Sequence, residues 1–383
     1  MRAIKPSLTA LALAILLAAC AAREAPGPEP TPATEDGRQI TVEQRWSTEI
    51  GEAADDAHRL QPAMAGGHLV MAAGNGRVVA MDPATGDERW AVNLNAPIAG
   101  GPGADDELIA VGTSDGEVIA LSAADGEVQW QARVSSEVLA PPAVGQGHVV
   151  VRSADGRVFA LDADSGDRRW LFSRSVPALS LRGHSSPVLV RNGVVAGFDN
   201  GRLSALSLDS GEPAWEATVA APQGRTDLER MVDVDADPLV HRGELFAGAY
   251  QGRVVGINLA DGEIAWARGI SSLGGLAVDQ DKLYATDEQG RIWALDRSNG
   301  ASVWRADDLE GSRLGSPAVH GEYLVVGSAD GQVHWFHRND GRLVARYRLG
   351  NAPIMARPIV EADRVIVVDL SGNLEALTTD HEN

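Results

Sequence analysis

The sequence predicts an all-β fold: an eight-bladed β-propeller of four-stranded antiparallel blades, its ring closed by an N-terminal strand. Three observations carry this expectation. One pattern recurs eight times from about residue 40 to the end, each copy carries turn glycines at set offsets, and the last copy lacks a final strand that an isolated N-terminal segment supplies. Short apolar runs separated by turn signals at a period of about 40 residues read as propeller blades.

The clearest copy runs through Pro142-Ala143-Val144, His148 to Val151, Asp155-Gly156-Arg157-Val158-Phe159-Ala160-Leu161-Asp162, Gly166 and Trp170. Its first turn glycine recurs as Gly76, Gly116, Gly156, Gly201, Gly252, Gly290, Gly331 and Gly372, at steps of 40, 40, 45, 51, 38, 41 and 41 residues. Asn75, Asp115, Asp155, Asn200 or Asp330 before such a glycine is a tight hairpin signal. The strand that follows mixes small and large apolar residues, as a strand covered on both faces by neighbouring sheets requires.

A second turn ends at Gly86, Gly126, Gly166, Gly211, Gly262, Gly300 or Gly341, and four residues on stand Trp90, Trp130, Trp170, Trp215, Trp266 and Trp304, with Ala345 in the seventh copy. A tryptophan present once per repeat reads as packing between blades, since an indole buries a large area and its N–H finds a carbonyl. The eighth copy stops soon after Gly372-Asn373-Leu374-Glu375-Ala376-Leu377, while Trp46 stands alone in Gln44-Arg45-Trp46-Ser47. Pairing that first segment into the last blade closes the ring and removes two exposed sheet edges.

Ahead of the repeats, Arg2 and Lys5 precede the apolar run Leu8 to Ala19, which ends in Leu17-Ala18-Ala19-Cys20. This reads as a lipoprotein signal peptide over 1–19, with cleavage before a lipidated Cys20. The run is too short to span about 30 Å of hydrocarbon as a helix. Residues 20–39 form a tether, in which Pro26, Pro28, Pro30 and Pro32 favour extended conformations. The propeller is assigned to 40–383.

The 53 Asp and Glu residues against 33 Lys and Arg give a formal charge of -20, a field that repels polyanions and argues against a nucleic-acid partner. Cys20 is the only cysteine, which excludes an intrachain disulfide and a paired-thiolate metal site. Asp162-Ala163-Asp164-Ser165-Gly166-Asp167 resembles a calcium loop, yet Ser173 stands where the closing acid is needed, so it reads as a hairpin turn. His334 and His337 are three apart on a strand and turn, where alternation separates them. No nucleophile elbow or phosphate loop is present. The chain is therefore expected to be no enzyme, with no metal and no cofactor.

Two glycine steps, 45 and 51, exceed 41. The extra length lies between Trp170 and Pro187 and between Trp215 and Pro238, in connections that leave a blade's last strand for the next blade's first. Both emerge on the face that carries the turns between second and third strands, and both flank the blade containing Gly201. Long connections in a compact repeat are commonly functional. These two combine apolar residues, Leu179 and Leu181 in the first and Leu228, Met231 and Val234 in the second, with charged ones, a composition that suits a protein interface.

The Asp-Gly-x-Val-x-Ala-Leu-Asp…Gly…Trp repeat resembles the quinoprotein-type propeller repeat and covers essentially the whole chain after the tether. Within that group the chain is most similar to the BamB family, the lipoprotein subunits of the outer-membrane β-barrel assembly machinery. The resemblance is carried by Leu179-Ser180-Leu181-Arg182-Gly183 before Ser186-Pro187 and by Leu228-Glu229-Arg230-Met231-Val232-Asp233-Val234-Asp235 before Pro238. It implies an outer-membrane, lipid-anchored, periplasm-facing protein that binds BamA, the barrel-forming subunit, through Leu179, Leu181, Arg182, Asp233 and Asp235. Nascent outer-membrane proteins are a further implied contact.

The absence of Asp after Cys20, where Ala21 stands, resembles the outer-membrane sorting pattern of such lipoproteins. The long Pro-rich tether departs from the family pattern and bears on reach. A local ion pair between Arg182 and Asp233 or Asp235 is a competing reading compatible with the first. Two other classes are compatible with such a repeat: a quinone-dependent periplasmic dehydrogenase, against which the lack of adjacent cysteines counts, and a propeller adaptor of another envelope complex.

Overall fold

In the computed structural model the chain divides into two units, Met1–Gln39 and Ile40–Asn383. The structure describes residues 40–51, 59–177, 179–180, 185–272 and 274–379. Cys20, the signal segment 1–19 and the tether 20–39 lie outside the described residues.

Eight antiparallel sheets follow one another around a ring. Each of blades 1 to 7 is built from consecutive strands: in blade 3 these are Ala143–Gly145, His148–Ser153, Arg157–Asp162 and Arg168–Ser173. First strands of neighbouring blades touch one another, so they line the axis and the fourth strands lie outermost. The second and third strands carry the core; Val149, Val150, Val151, Val158 and Ala160 are all fully buried. This is why their sequences run as unbroken apolar segments while the outermost strands alternate.

Blade 8 takes three strands from the C-terminal end, Ile359–Glu361, Arg364–Val368 and Asn373–Thr379, and its fourth from Val42–Glu49. The register runs from Val42 opposite Thr379 to Glu49 opposite Asn373. The closing strand expected from the lone Trp46 is thus in place. Blade 2 departs from the expected four strands. The two residues Arg59–Leu60 pair in parallel with its first strand, Ile98–Ala104, on the inner edge.

The tryptophans join blades. Trp46, Trp90, Trp130, Trp170, Trp215, Trp266 and Trp304 each donate Nε1–H to a backbone oxygen in the second turn of the following blade, at 2.6–3.1 Å. Each indole also lies flat against that turn's glycine. At Gly166 the backbone has φ of +73°, and a Cβ would sit 2.6 Å from the Trp130 ring, so both conformation and contact demand glycine. The repeated Gly and Trp are therefore the two halves of one contact across the gap between blades.

The acidic turn of blade 3 is satisfied within itself. Asp162 accepts from the amides of Asp164 and Ser165 and from the Arg169 guanidinium, and Arg169 foremost holds its carboxyl down at about 2. His334 and His337 do not meet. His334 is buried against Ser328 Oγ at 2.9 Å, whereas His337 faces Asp340.

Candidate docking face

Turns between second and third strands share one face with the connections between blades. On that face the described residues of 174–187 and the segment 219–238 flank blade 4, whose strands are Val188–Val190, Gly193–Gly197, Arg202–Ser207 and Pro213–Thr218. The turn Gly197-Phe198-Asp199 of that blade supports both. A Cβ on Gly197 would lie 2.6 Å from Ser185 Oγ and 2.8 Å from Val234 Cγ1, so only glycine admits the two segments this close. Val234 donates its amide to Phe198 O at 3.3 Å. The segments are also tied to each other, for Ser186 donates its amide to the Asp237 carboxylate at 2.7 Å.

The second segment is anchored at both ends. Val219 donates its amide to Gly201 O, and Arg253 donates through Nε and Nη2 to the oxygens of Val219 and Thr218. Further on, Tyr250 of the next blade donates its amide to Asp233 O. Between these points the chain forms a capped turn. Glu229 accepts from the amides of Arg225 and Thr226 at 2.7 and 3.1 Å, while its own amide donates to Thr226 Oγ1. This reciprocal Thr-x-x-Glu arrangement is a capping box. The two amides hold the Glu229 carboxyl below the usual carboxylate range.

The capped turn presents Leu228, 60% exposed, beside a shallow depression lined by Gln223, Gly224, Arg225, Glu229 and Gln251. Across blade 4, Val176 and Leu179 are also exposed. The remaining apolar residues of the second segment behave differently. Met231, Val232 and Val234 are buried, the last two within the core shared by blades 4 and 5. So Leu179 and Leu228 stand at the surface, while Met231 and Val234 serve the fold.

Asp233 and Asp235 are buried as well, at 0% and 7% exposure. The charge that rims Leu228 comes instead from the exposed Arg225, Asp227, Glu229 and Arg230. Leu181 and Arg182 lie outside the described residues, and with them any ion pair of Arg182.

A third long connection, 50–62, escapes the count of turn glycines; its residues 52–58 lie outside the described residues. Between the closing strand Val42–Glu49 and the first strand of blade 1, Ala63–Ala65, the chain passes Ile50, whose amide donates to Gly372 O, and reaches the inner edge of blade 2 at Arg59–Leu60. The signal was available in another spacing. Trp46 to Pro62 spans 16 residues, close to the 17 from Trp170 to Pro187 and longer than the 12 from Trp130 to Pro142. The glycine steps missed it because this connection precedes the first turn glycine.

Fold and face together define a class: a β-propeller scaffold that presents a preorganised loop surface. The comparisons narrow it. A family described as "Outer membrane protein assembly factor BamB" matches residues 74–306 and 299–382. The BamB protein of Alkalilimnicola ehrlichii is 50% identical over 98% of this chain and 97% of its own, and that of Pseudomonas aeruginosa is 42% identical over 96% and 97%. The crystal structure of BamB from Moraxella catarrhalis superposes with a TM-score of 0.80 at 27% identity, covering 88% of this chain and all of that one. The chain belongs to the BamB family of outer membrane protein assembly factors. The quinohemoprotein alcohol dehydrogenase of Comamonas testosteroni, with a TM-score of 0.69 at 14% identity over 88% of this chain and 76% of that one, shares the fold alone.

Proposed function

We propose that this protein assists assembly of β-barrel proteins into the outer membrane by binding and without catalysis. In this reading cleavage of 1–19 leaves a lipidated Cys20, the tether 20–39 holds the propeller at the periplasmic side of the outer membrane, and the face around blade 4 docks a periplasmic domain of a BamA-like subunit. Nascent barrel proteins then pass along the remaining propeller surface. The names carried by the relatives support the assembly role.

One observation carries the docking face. Two long connections are bound to each other and to a single turn of blade 4, yet Leu179 and Leu228 remain at the surface. Apolar side chains on a preordered support are what an interface anchor requires, because little ordering entropy is left to lose on binding. Leu179, Leu181 and Arg182 are assigned to contact with the partner. Asp233 and Asp235, being interior, are assigned to holding the second connection in shape.

The test is affinity purification of the intact lipoprotein from its own envelope, comparing wild type with Leu179→Asp, Leu228→Asp and with Arg182→Glu. Co-recovery of the barrel subunit is expected to fall at least about tenfold, which corresponds to about 1.4 kcal/mol. Folding stability should move by no more than about 0.5 kcal/mol, as for other surface substitutions. Undiminished recovery in both variants would remove the docking face from this surface.

A further inference from the structure

The joint between blades 3 and 4 holds a charge pair that the repeat does not call for. Arg152 is the penultimate residue of the second strand of blade 3, His148–Ser153, four residues before the turn glycine Gly156. The corresponding position is glycine in four blades and Ala72, Thr286 or Val368 in the other three. Asp199 stands two residues before Gly201, where no other blade has aspartate. Arg152 Nη2 donates to Asp199 Oδ1 across the joint, and the two residues are 1% and 4% exposed. Taking both charges out of water opposes folding, and a well-packed apolar pair of similar volume commonly stabilises at least as well. A departure from the repeat in that direction points to a role other than stability.

Its surroundings identify the role. The Arg152 guanidinium lies 5.6 Å from the centroid of the Phe198 ring, and Phe198 meets Phe172 at 6.0 Å, over which Arg174 stacks at 5.0 Å. Arg174 opens the first long connection. Phe198 O accepts the amide of Val234 in the second, and Gly197 packs against Ser185 and Val234. The cation of blade 3 therefore grips the one turn on which both connections rest. Resting on the docking face proposed above, we propose that Arg152 and Asp199 are positioning residues for partner binding. The pair locks the Gly197-Phe198-Asp199 turn in the position that presents Leu179 and Leu228, without touching the partner itself.

The test compares the full-length lipoprotein with its Arg152→Met, Asp199→Leu double variant, which replaces the pair by apolar side chains. Three quantities are read: co-recovery of the barrel subunit, the thermal midpoint, and hydrogen exchange at the Ser186 and Val234 amides. Recovery is expected to fall about tenfold, as when the binding-competent fraction drops to about a tenth. Exchange at the two amides should rise, and the midpoint should hold or increase. A merely structural pair would leave recovery and local exchange at wild-type levels. That result, with Leu179→Asp, Leu228→Asp still abolishing recovery, overturns the positioning role and leaves the docking face standing. Wild-type recovery in every variant overturns both. Should the double variant fail to fold, Arg152→Lys carries the same test, since the ammonium keeps the charge and loses the planar fork. Unchanged exchange and recovery there overturn the proposal equally.

Discussion

Seven of the eight joints in the ring are made alike and one is made differently. In the seven, a tryptophan on the fourth strand sits opposite alanine or glycine on the third, as Trp130 opposite Ala120 and Trp266 opposite Gly256, and reaches the next blade's second turn. In blade 7 the pair is inverted, with Trp335 on the third strand and Ala345 on the fourth. The reason lies in blade 8. Its third and fourth strands come from opposite ends of the chain, so it has no second turn, and hence no glycine to stack on and no turn carbonyl to receive an indole. Trp335 packs fully buried with Val365, Val367 and Leu377 instead, and Tyr347 donates its hydroxyl to Glu375 at 2.8 Å. Burial, aided by the Glu375 carboxylate, pushes the Tyr347 phenol up to about 12. The joint that closes the ring keeps the volume of the others and gives up their staple.

Removing Val42–Glu49 breaks the comparison at its root. Without that strand blade 8 loses its outer member, the edge of Asn373–Thr379 opens, and Trp46 no longer bonds Pro83 O. We expect loss of the cooperative unfolding transition and aggregation, since an exposed strand edge templates pairing, followed by denaturant titration and light scattering. A single sharp transition in the deletion variant would mean that ring closure is dispensable.

Smaller in effect, Trp335→Ala should destabilise by about 3–5 kcal/mol, the usual cost of emptying a large aromatic site. If the inverted pair is dictated by the missing turn, the double variant Trp335→Ala, Ala345→Trp restores less than half of that loss. Full restoration, read by equilibrium unfolding, would show that either strand can supply the indole at this joint.

The smallest effect sharpens the picture of blade 7. His334, next to Trp335 and on the opposite face of the same strand, is held by burial at about 4 against its ordinary 6.5, with Asp330 opposing and Arg346 and Arg348 reinforcing the shift. The neutral ring is the folded form, so its contribution is complete above pH 6.5. It is lost as pH falls from 6.5 toward 4, because the unfolded chain takes the proton first. The loss should reach up to about 3 kcal/mol at the acid end of that window. His334→Gln is expected to flatten the wild-type decline between pH 6.5 and 4, and parallel pH profiles of the two proteins would exclude His334 as its source.

How legible the molecule is from sequence differs with the range of the contacts involved. Blade boundaries, turns and the closing strand follow Gly156, Gly166, Trp170 and their counterparts, because hairpins and strand alternation are set by residues close in the chain. The two long connections around blade 4 were legible as well, since they lengthen a regular step. The connection 50–62 was not counted, and the extra strand Arg59–Leu60 has no sequence signature, being a two-residue pairing with a neighbouring blade. Leu228, Met231, Val234, Asp233 and Asp235 look alike as parts of one mixed segment, yet only the first stays exposed. Their fate depends on where Gly197, Phe198 and Gly201 stand beneath them, 27 to 38 residues upstream.

The number of blades, the order of strands within them, the once-per-blade indole and the two conspicuous connections are all written in local periodicity, and so follow from the residues alone. Which side chains of those connections meet solvent, the joint burial of Arg152 and Asp199, and the role of Trp335 at the joint lacking a turn are fixed by the assembled ring. These are contacts between blades, and burial is a property of what the rest of the chain brings alongside.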